Sequence, residues 1–384
     1  MSFTPRPYQT EAINAGISFF HEKKQGNGIV ILPTGAGKSI VIANIAAGLT
    51  GKTLVFQPSK EILEQNYKKY TSYGYRAGIY SASAGVKFLD NVTFATIGSV
   101  ARKHHLFRQF NNIIVDECHL CNANQGQYND FFDYMSHAKV LGLTATPYRL
   151  ASGGEGAELR FITRTSPRIF NKVIYYVQNN VLFDAGHLAK LEYFPVDLVD
   201  RTRLQMNSSG TDFTESSVRS YYRAIDMPRK TGEYANRILA KRKNLLVFCT
   251  LLEEARTVCD MIAGAVMLSG DTPAGEREKM LRDFTSGRIR CVVNVGVLTT
   301  GFDYPELEAV LIARSTMSMS LYYQMVGRVM RPHKNKLSGW VVDMGGNIKM
   351  FGEIETMKIE RDERGLYFIT NNGKQLTNVP FEKV

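Results

Sequence analysis

Short runs of β-branched and other apolar residues alternate with longer amphipathic stretches through the first half of the chain. They fall at Gly28–Leu32, Thr53–Gln57, Val92–Thr96, Ile113–Val115 and Val140–Thr144. Runs that are apolar throughout suit strands buried on both faces, and helices crossing between parallel strands provide that burial. The rhythm returns at Leu245–Cys249, Val266–Leu268, Cys291–Val295, Ala309–Ala313 and Trp340–Asp343. Two tandem α/β lobes with mainly parallel sheets are therefore expected. Between Ala151 and Lys243 the pattern breaks, and Ala151-Ser152-Gly153-Gly154-Glu155-Gly156 reads as a surface loop. The expected division is a first lobe over 1–188, a linker and second lobe over 189–345, and a short polar C-terminal tail over 346–384. That tail holds strand-like pieces such as Leu366–Thr370.

Length and composition fit this reading. A chain of 384 residues with 44% hydrophobic residues can bury two cores. No run approaches the roughly 20 apolar residues of a membrane span. The start, Met1-Ser2-Phe3-Thr4-Pro5-Arg6, has neither the apolar stretch of a secretory signal nor the amphipathy of a transit peptide, so a cytoplasmic protein is expected. Charge adds a partner. Lys and Arg outnumber Asp and Glu by 47 to 36, a net +11, which favours a polyanion such as nucleic acid. Five cysteines are few and odd in number, against a disulfide framework. Cys118 and Cys121 have knuckle spacing but no second Cys/His pair, so zinc is not expected.

The candidate chemistry begins at Pro33-Thr34-Gly35-Ala36-Gly37-Lys38-Ser39, between an apolar strand and the helical stretch Ile40–Leu49. This is the setting of a phosphate-binding loop for ATP. Glycines let backbone N–H groups curl towards phosphates, Lys38 supplies a point charge, and Ser39 can ligate Mg²⁺. Leu32 stands where the general pattern has its first glycine. The second signal is Asp116-Glu117-Cys118-His119 at the end of Ile113-Ile114-Val115. Carboxylates at the carboxyl end of a strand suit a nucleotide site: Asp116 to hold Mg²⁺ through water, Glu117 to polarise the attacking water as general base.

Together these residues resemble the superfamily-two helicases with a DEAH-like second motif, here D-E-C-H. The resemblance runs nearly the whole length and implies two RecA-like P-loop lobes that hydrolyse ATP with Mg²⁺ and move along nucleic acid. Arg6-Pro7-Tyr8-Gln9 resembles the adenine-recognition element, in which Gln9 would read the base edge and Arg6 or Tyr8 pack on the ring. Phe56–Leu63, with Ser59 and Lys60, and Thr96-Ile97-Gly98-Ser99 resemble motifs that grip the nucleic-acid backbone, for which Ser59, Lys60, Thr96 and Ser99 are the candidates. Thr144-Ala145-Thr146-Pro147 resembles the motif that couples the Asp116–His119 loop to nucleic-acid contact, through His119, Thr144 and Thr146.

In the second lobe, Val247–Thr250, Asn294–Pro305 and Gln324–Pro332 look like motifs four, five and six. Thr250, Thr299 and Thr300 would grip the backbone, while Gly301 and Asp303 would face the nucleotide. Gln324, Arg328 and Arg331 form Q-x-x-x-R-x-x-R; arginines three apart share one face of a helix, and the resemblance makes them arginine fingers. Splitting the catalytic groups between two lobes would let ATP binding and hydrolysis drive opening and closing.

More narrowly, R-P-Y-Q, P-T-G-A-G-K-S, D-E-C-H, Gly270-Asp271-Thr272-Pro273 with Glu276-Arg277, and Q-x-V-G-R are similar to bacterial RadD-type helicases and their phage relatives, which act in DNA repair and recombination. Residues 1–384 hold no run of cysteines like the C-terminal part of those proteins, so zinc is again not expected. DNA, single-stranded or branched, is thus the expected partner. A DEAD-box RNA helicase is the main alternative, opposed by His119 and Cys118 in place of A-D and by Gln324 in place of His. A restriction motor subunit shares the motifs, but no nuclease or methyltransferase motif is readable. A non-catalytic binding protein working through Arg229-Lys230, Lys241-Arg242-Lys243 and Arg328–Lys334 would leave intact nucleotide motifs without a role.

Overall fold

The computed structural model describes residues 4–23, 26–122, 126–153, 156–299 and 301–379. The chain divides into two compact units. The first comprises Met1–Arg149, Arg160–Gln178 and Arg361–Tyr367; the second comprises Leu150–Leu159, Asn179–Glu360 and Phe368–Val384.

The first unit is built on α1 (Pro7–His21), β1 (Gly28–Ile31), α2 (Lys38–Gly48), β2 (Lys52–Phe56), α3 (Lys60–Thr71), β3 (Gly78–Ser81), β4 (Val86–Lys87), β5 (Val92–Ala95), α4 (Ile97–Val100), β6 (Phe110–Asp116), α5 (Gln127–Tyr134) and β7 (Lys139–Thr144). A two-stranded sheet, β8 (Tyr148–Gly153) and β9 (Gly156–Phe161), precedes β10 (Lys172–Tyr176). Among the described residues the main sheet has the order β10-β1-β7-β6-β2-β5-β3-β4, and every pairing is parallel except β3 with β4. β1 lies inside that sheet with all four residues buried, which is why its sequence is apolar without alternation.

The order places three carboxyl ends side by side. Ile31 of β1 is level with Thr144 of β7, and Asp116 of β6 is level with Leu143. The phosphate loop, the Thr144–Thr146 segment and the D-E-C-H residues therefore leave one sheet edge at one height.

The second unit holds α6 (Asn179–Asp184), β11 (Leu191–Pro195), α7 (Glu215–Ala224), α8 (Met227–Leu239), β12 (Leu245–Cys249), α9 (Leu252–Asp260), β13 (Val266–Leu268), α10 (Ala274–Thr285), β14 (Cys291–Val295), β15 (Ala309–Ile312), α11 (Met319–Val326), β16 (Gly339–Asp343) and α12 (Asn347–Phe351). Its sheet, β11-β16-β15-β12-β14-β13, is parallel throughout. The core gathers inward residues of β12, β14 and β15 against α7, α8 and α9, including Tyr222, Leu245, Val247, Val293 and Leu311. Beyond residue 345 the polar stretch carries α12 and a three-stranded sheet, β17 (Met357–Arg361), β18 (Tyr367–Asn371) and β19 (Lys374–Gln375), with Phe351, Ile354, Met357 and Ile369 buried. Of the strand-like Leu366–Thr370, all but Leu366 falls on β18.

One expectation is corrected. Arg328 and Arg331 do not share a helix face: α11 stops at Val326, Arg328 sits in the 3₁₀ turn Gly327–Val329, and Arg331 lies beyond it. Gly327 costs the helix backbone entropy, and Pro332 disfavours helical geometry at the residue before it. Thr300 lies outside the described residues.

Candidate nucleotide site and backbone-gripping residues

The phosphate loop is shaped by two left-handed glycines, Gly35 at φ 85° and Gly37 at φ 81°. Gly37 begins α2 and puts Lys38 and Ser39 in its first turn, while Pro33 and Ala36 are buried and Thr34 half-buried. The Arg6–Gln9 segment is fastened to this loop. Gln9 Nε2 donates to the Ala36 carbonyl at 2.8 Å, Tyr8 Oη donates to the same oxygen at 2.9 Å, and Gln9 Oε1 accepts from Arg6 N at 2.9 Å. Gln9 is 2% exposed, so its amide braces the loop in this structure.

Opposite stands the carboxylate pair. Glu117 adopts a left-handed backbone, φ 48°, uncommon for a residue with a side chain and typical of positions held by function. Its Oε1 lies 3.4 Å from Lys38 Nζ and its Oε2 lies 3.4 Å from His119 Nδ1. The same ring nitrogen is 2.9 Å from Thr144 Oγ1 and 3.1 Å from Thr146 Oγ1. Cation, base, histidine and both threonines thus form one chain of contacts. Asp116 points into the protein, where its Oδ2 accepts from Asn66 Nδ2 at 3.1 Å and its Oδ1 from Glu117 N at 3.0 Å.

The two carboxyls are tuned apart. Burial, reinforced by the charge of Glu117, pushes Asp116 up to about 7. Burial opposes ionisation of Glu117 as well, but the Lys38 ammonium and the His119 hydrogen bond outweigh it and bring Glu117 down to about 2. The Lys38 and His119 contacts thus favour the ionised form of Glu117, which a general base requires. A buried carboxylate short of positive charge, with the Ser39 hydroxyl at the head of α2, is an oxygen donor set suited to a hard divalent cation such as Mg²⁺. When bound, Mg²⁺ would supply positive charge to the phosphate oxygens; Asp116 and Ser39 would hold it.

The candidate gripping residues are partly engaged with each other. Thr96 Oγ1 is 3.0 Å from Ser99 Oγ and 3.1 Å from Ser81 Oγ, and Ser99 Oγ accepts from Ala82 N at 2.8 Å. Ser59 caps α3 by accepting from Ile62 N at 3.4 Å, and Lys60 is exposed. In the second unit the Thr250 hydroxyl is buried without a partner, and Thr299 is half-buried. Gly301 is left-handed, φ 75°. Arg328 donates to the Phe302 carbonyl and, from Nε, to the Gln324 carbonyl at 3.3 Å, while Arg331 Nε stands 3.2 Å from Asp303 Oδ1. Motifs five and six therefore meet through both arginines. In the basic runs Arg229 pairs with Asp226 and Glu233 and Arg242 lies 4.1 Å over the Trp340 ring, while Lys241 and Lys243 are exposed.

Asn66 was not among the sequence candidates. The available signal was a polar residue on the buried stripe of α3, beside Ile62, Leu63 and Tyr70, where an amide needs a partner. Cys118 has a packing role: a Cβ at Gly142 would stand 2.5 Å from its sulfur.

A phosphate loop and a D-E-C-H turn on one parallel sheet, with a second parallel sheet carrying paired arginines, define a two-lobed P-loop protein. Residues 2–149 match the family model of the type III restriction enzyme res subunit, and residues 231–333 match the helicase conserved C-terminal domain. Over both matched stretches the chain is similar to superfamily-two helicases, a class of ATP-hydrolysing enzymes. It is 25% identical over 318 residues to the 51.5 kDa protein of a Lactococcus phage, covering 81% of this chain and 64% of that protein. It is 23% identical over 360 residues to the DNA 3'-5' translocase XPB2 of Sulfurisphaera tokodaii, covering 85% and 78%. The DNA-bound type ISP restriction-modification enzyme LlaBIII superposes with a TM-score of 0.65 at 16% identity, covering 89% of this chain and 28% of that one, a likeness of fold. The chain spans between 48% and 64% of the length of four of its curated relatives. Among the described residues no helix is long and apolar enough to cross a membrane.

Proposed function

We propose that this chain is an ATP-dependent DNA helicase or translocase whose ATPase is stimulated by DNA, acting in repair, recombination or replication. The observation that carries the reading is the contact chain Lys38–Glu117–His119–Thr144/Thr146. It links a phosphate cation and an ionised base to the segment that the family uses for coupling. Lys38 would bind the β and γ phosphates, Glu117 would polarise water, and Asp116 with Ser39 would hold Mg²⁺. Gln324, Arg328 and Arg331 are assigned to transition-state charge, with Gly301 and Asp303 towards the nucleotide. Ser59, Lys60, Thr96, Ser99, Thr250, Thr299 and Thr300 are assigned to the nucleic-acid backbone. The proposed division remains a first lobe over 1–188, a linker with second lobe over 189–345, and a C-terminal segment over 346–384.

The choice of DNA is supported by the likeness to the Sulfurisphaera tokodaii relative, a DNA 3'-5' translocase, and by the net charge of +11. The test is ATP hydrolysis by the purified protein alone and with single-stranded DNA, branched DNA or RNA, beside Lys38→Ala and Glu117→Gln. DNA stimulation lost in both variants supports the reading. Stimulation by RNA alone would replace it with an RNA helicase.

A further inference from the structure

The segment Arg314–Ser318, which leads from β15 into α11, has a fixed backbone. Asn347 Nδ2 donates to the Arg314 carbonyl at 2.8 Å, and its Oδ1 accepts from Thr316 N at 3.1 Å. Ser315 N donates to the Tyr222 hydroxyl at 2.9 Å, and Ser315 Oγ donates to the Gly345 carbonyl at 2.9 Å. Gly345 lies so close that a Cβ there would stand 2.3 Å from the Arg314 oxygen.

The Arg314 side chain is less well satisfied. Its Nε is buried with no partner, and its Nη2 stands 3.5 Å from Oδ2 of Asp212. Asp212 comes from the small hairpin Met206–Phe213, ahead of α7. Its Oδ2 accepts from Thr316 Oγ1 at 3.2 Å and its Oδ1 from Met317 N at 3.2 Å, besides Phe213 N at 3.0 Å. A guanidinium, a hydroxyl and a backbone N–H of one rigid segment converge on a single carboxylate. That is the donor set with which proteins hold a phosphodiester, whose one negative charge and two free oxygens match a carboxylate.

Location agrees with this chemistry. Phe248 of β12 is level with Ile312 of β15, so the segment after β15 and Thr250, whose buried hydroxyl has no partner, both follow the carboxyl ends of adjacent strands. A second cation stands behind the seat: Arg201 Nη2 donates to the Thr316 carbonyl at 2.6 Å, and its guanidinium lies 5.1 Å over the Phe213 ring. The hairpin keeps its own shape, since Asn207 Oδ1 accepts from Thr211 N at 2.8 Å and Ser209 Oγ at 3.0 Å.

We propose that Arg314, the Thr316 hydroxyl and the Met317 N–H form a seat for a nucleic-acid backbone phosphate, and that the Asp212 carboxylate occupies it as a built-in competitor which the strand displaces. The inference rests on the helicase reading above.

The test is binding of fluorescent single-stranded DNA by the full chain, followed by anisotropy across a salt series. Wild type is compared with Asp212→Asn, Arg314→Gln, Arg314→Lys and the Asp212→Asn/Arg314→Gln pair. Nucleotide affinity without DNA and thermal unfolding are measured alongside. Asp212→Asn is expected to tighten DNA binding about 3–10-fold, and Arg314→Gln to weaken it by a similar factor and lower the salt slope by about 0.7. Arg314→Lys retains most of the slope, and in the paired variant the gain from Asp212→Asn disappears. A purely structural role would weaken binding in both single variants, and that result, or a change in nucleotide affinity alone, overturns the inference. Wild type that binds no nucleic acid fails the helicase reading itself, whereas wild-type binding with unaffected variants fails the seat alone.

Discussion

Lys38 Nζ and Glu117 Oε1 face each other at 3.4 Å, so the phosphate-loop cation and the proposed general base neutralise one another within the first unit. A phosphate approaching Lys38 has to compete with that carboxylate. Glu117→Gln is therefore expected to bind nucleotide as tightly as wild type or more so, while hydrolysis falls about 10²–10⁴-fold. Lys38→Ala should lose nucleotide affinity as well. Titration with a fluorescent ATP analogue, beside steady-state phosphate release, separates the two; a Glu117→Gln protein that binds poorly would contradict the pairing.

Asn66 supports Asp116 from a helix the nucleotide motifs do not include. Its amide donates to Asp116 Oδ2 at 3.1 Å and to Gln57 Oε1 at 2.8 Å, all three residues being buried. Asn66→Ala strands two acceptors and should cost about 1–3 kcal/mol in urea unfolding. Unchanged stability would show that the acceptors find other partners.

Glu254 gives the second unit a pH dependence. Its Oε2 accepts from Leu251 N at 3.2 Å as a helix cap, its Oε1 is buried without a partner, and burial raises its pKa from 4.5 to about 7. The folded value lies above the unfolded one. Stability is therefore greatest below about pH 4.5 for this group, falls as pH rises towards 7, and is level above that. Glu254→Gln keeps the cap and should flatten this window, with a gain on the order of 1–3 kcal/mol at pH 8 relative to pH 5. Denaturant midpoints at the two pH values check it.

Gly37 and Gly85 make a matched pair of left-handed positions. At Gly37, φ 81°, a Cβ would stand 2.5 Å from Gln9 Nε2; at Gly85, φ 72°, it would meet nothing within 4 Å. Gly85→Ala is expected to cost only backbone strain, about 1–2 kcal/mol, with nucleotide affinity intact. Gly37→Ala carries the same strain and in addition pushes Gln9 off the Ala36 carbonyl, so nucleotide affinity should fall at least about tenfold. Equal affinities in the two variants would mean that the Gln9 brace has no part in binding.

The elements most legible in the sequence were short runs made up almost wholly of apolar residues. Cys291–Val295, Leu245–Cys249 and Val266–Leu268 are strands with those limits; apart from Asn294 all their residues are apolar, and a short apolar run admits few alternatives. β10 was not legible: all five of its residues are half-buried, and Lys172-Val173-Ile174-Tyr175-Tyr176 lacks both alternation and a fully apolar run. β11 ends in exposed Phe194 and Pro195, as an edge strand can. In the candidate site, the phosphate loop and D-E-C-H turn could be read because each must place several groups within a few residues. Asn66, Asp212 and Asn347 act across 50, 104 and 31 residues of chain, a distance over which local pattern carries no information. The arginine helix misled because an i, i+3 spacing states what a helix would do if it continued, and Gly327 with Pro332 ends it.

The side chains beneath Arg314 also set where the second unit can be cut. Asp343 accepts from Gly345 N at 3.1 Å, Asn347 Nδ2 at 2.8 Å and Ile348 N at 2.7 Å, while Arg201, from far earlier in the chain, donates to the Gly345 carbonyl at 3.1 Å and to Asn347 Oδ1 at 3.2 Å. A fragment ended at residue 345, where the parallel sheet is already complete, would retain every strand of that sheet yet lose the amide that fastens Arg314 and Thr316. A fragment begun after Arg201 would lose the opposite anchor. The unit's strands and its minimal foldable length are thus different things: the polar residues just past the last strand hold the start of α11 in place.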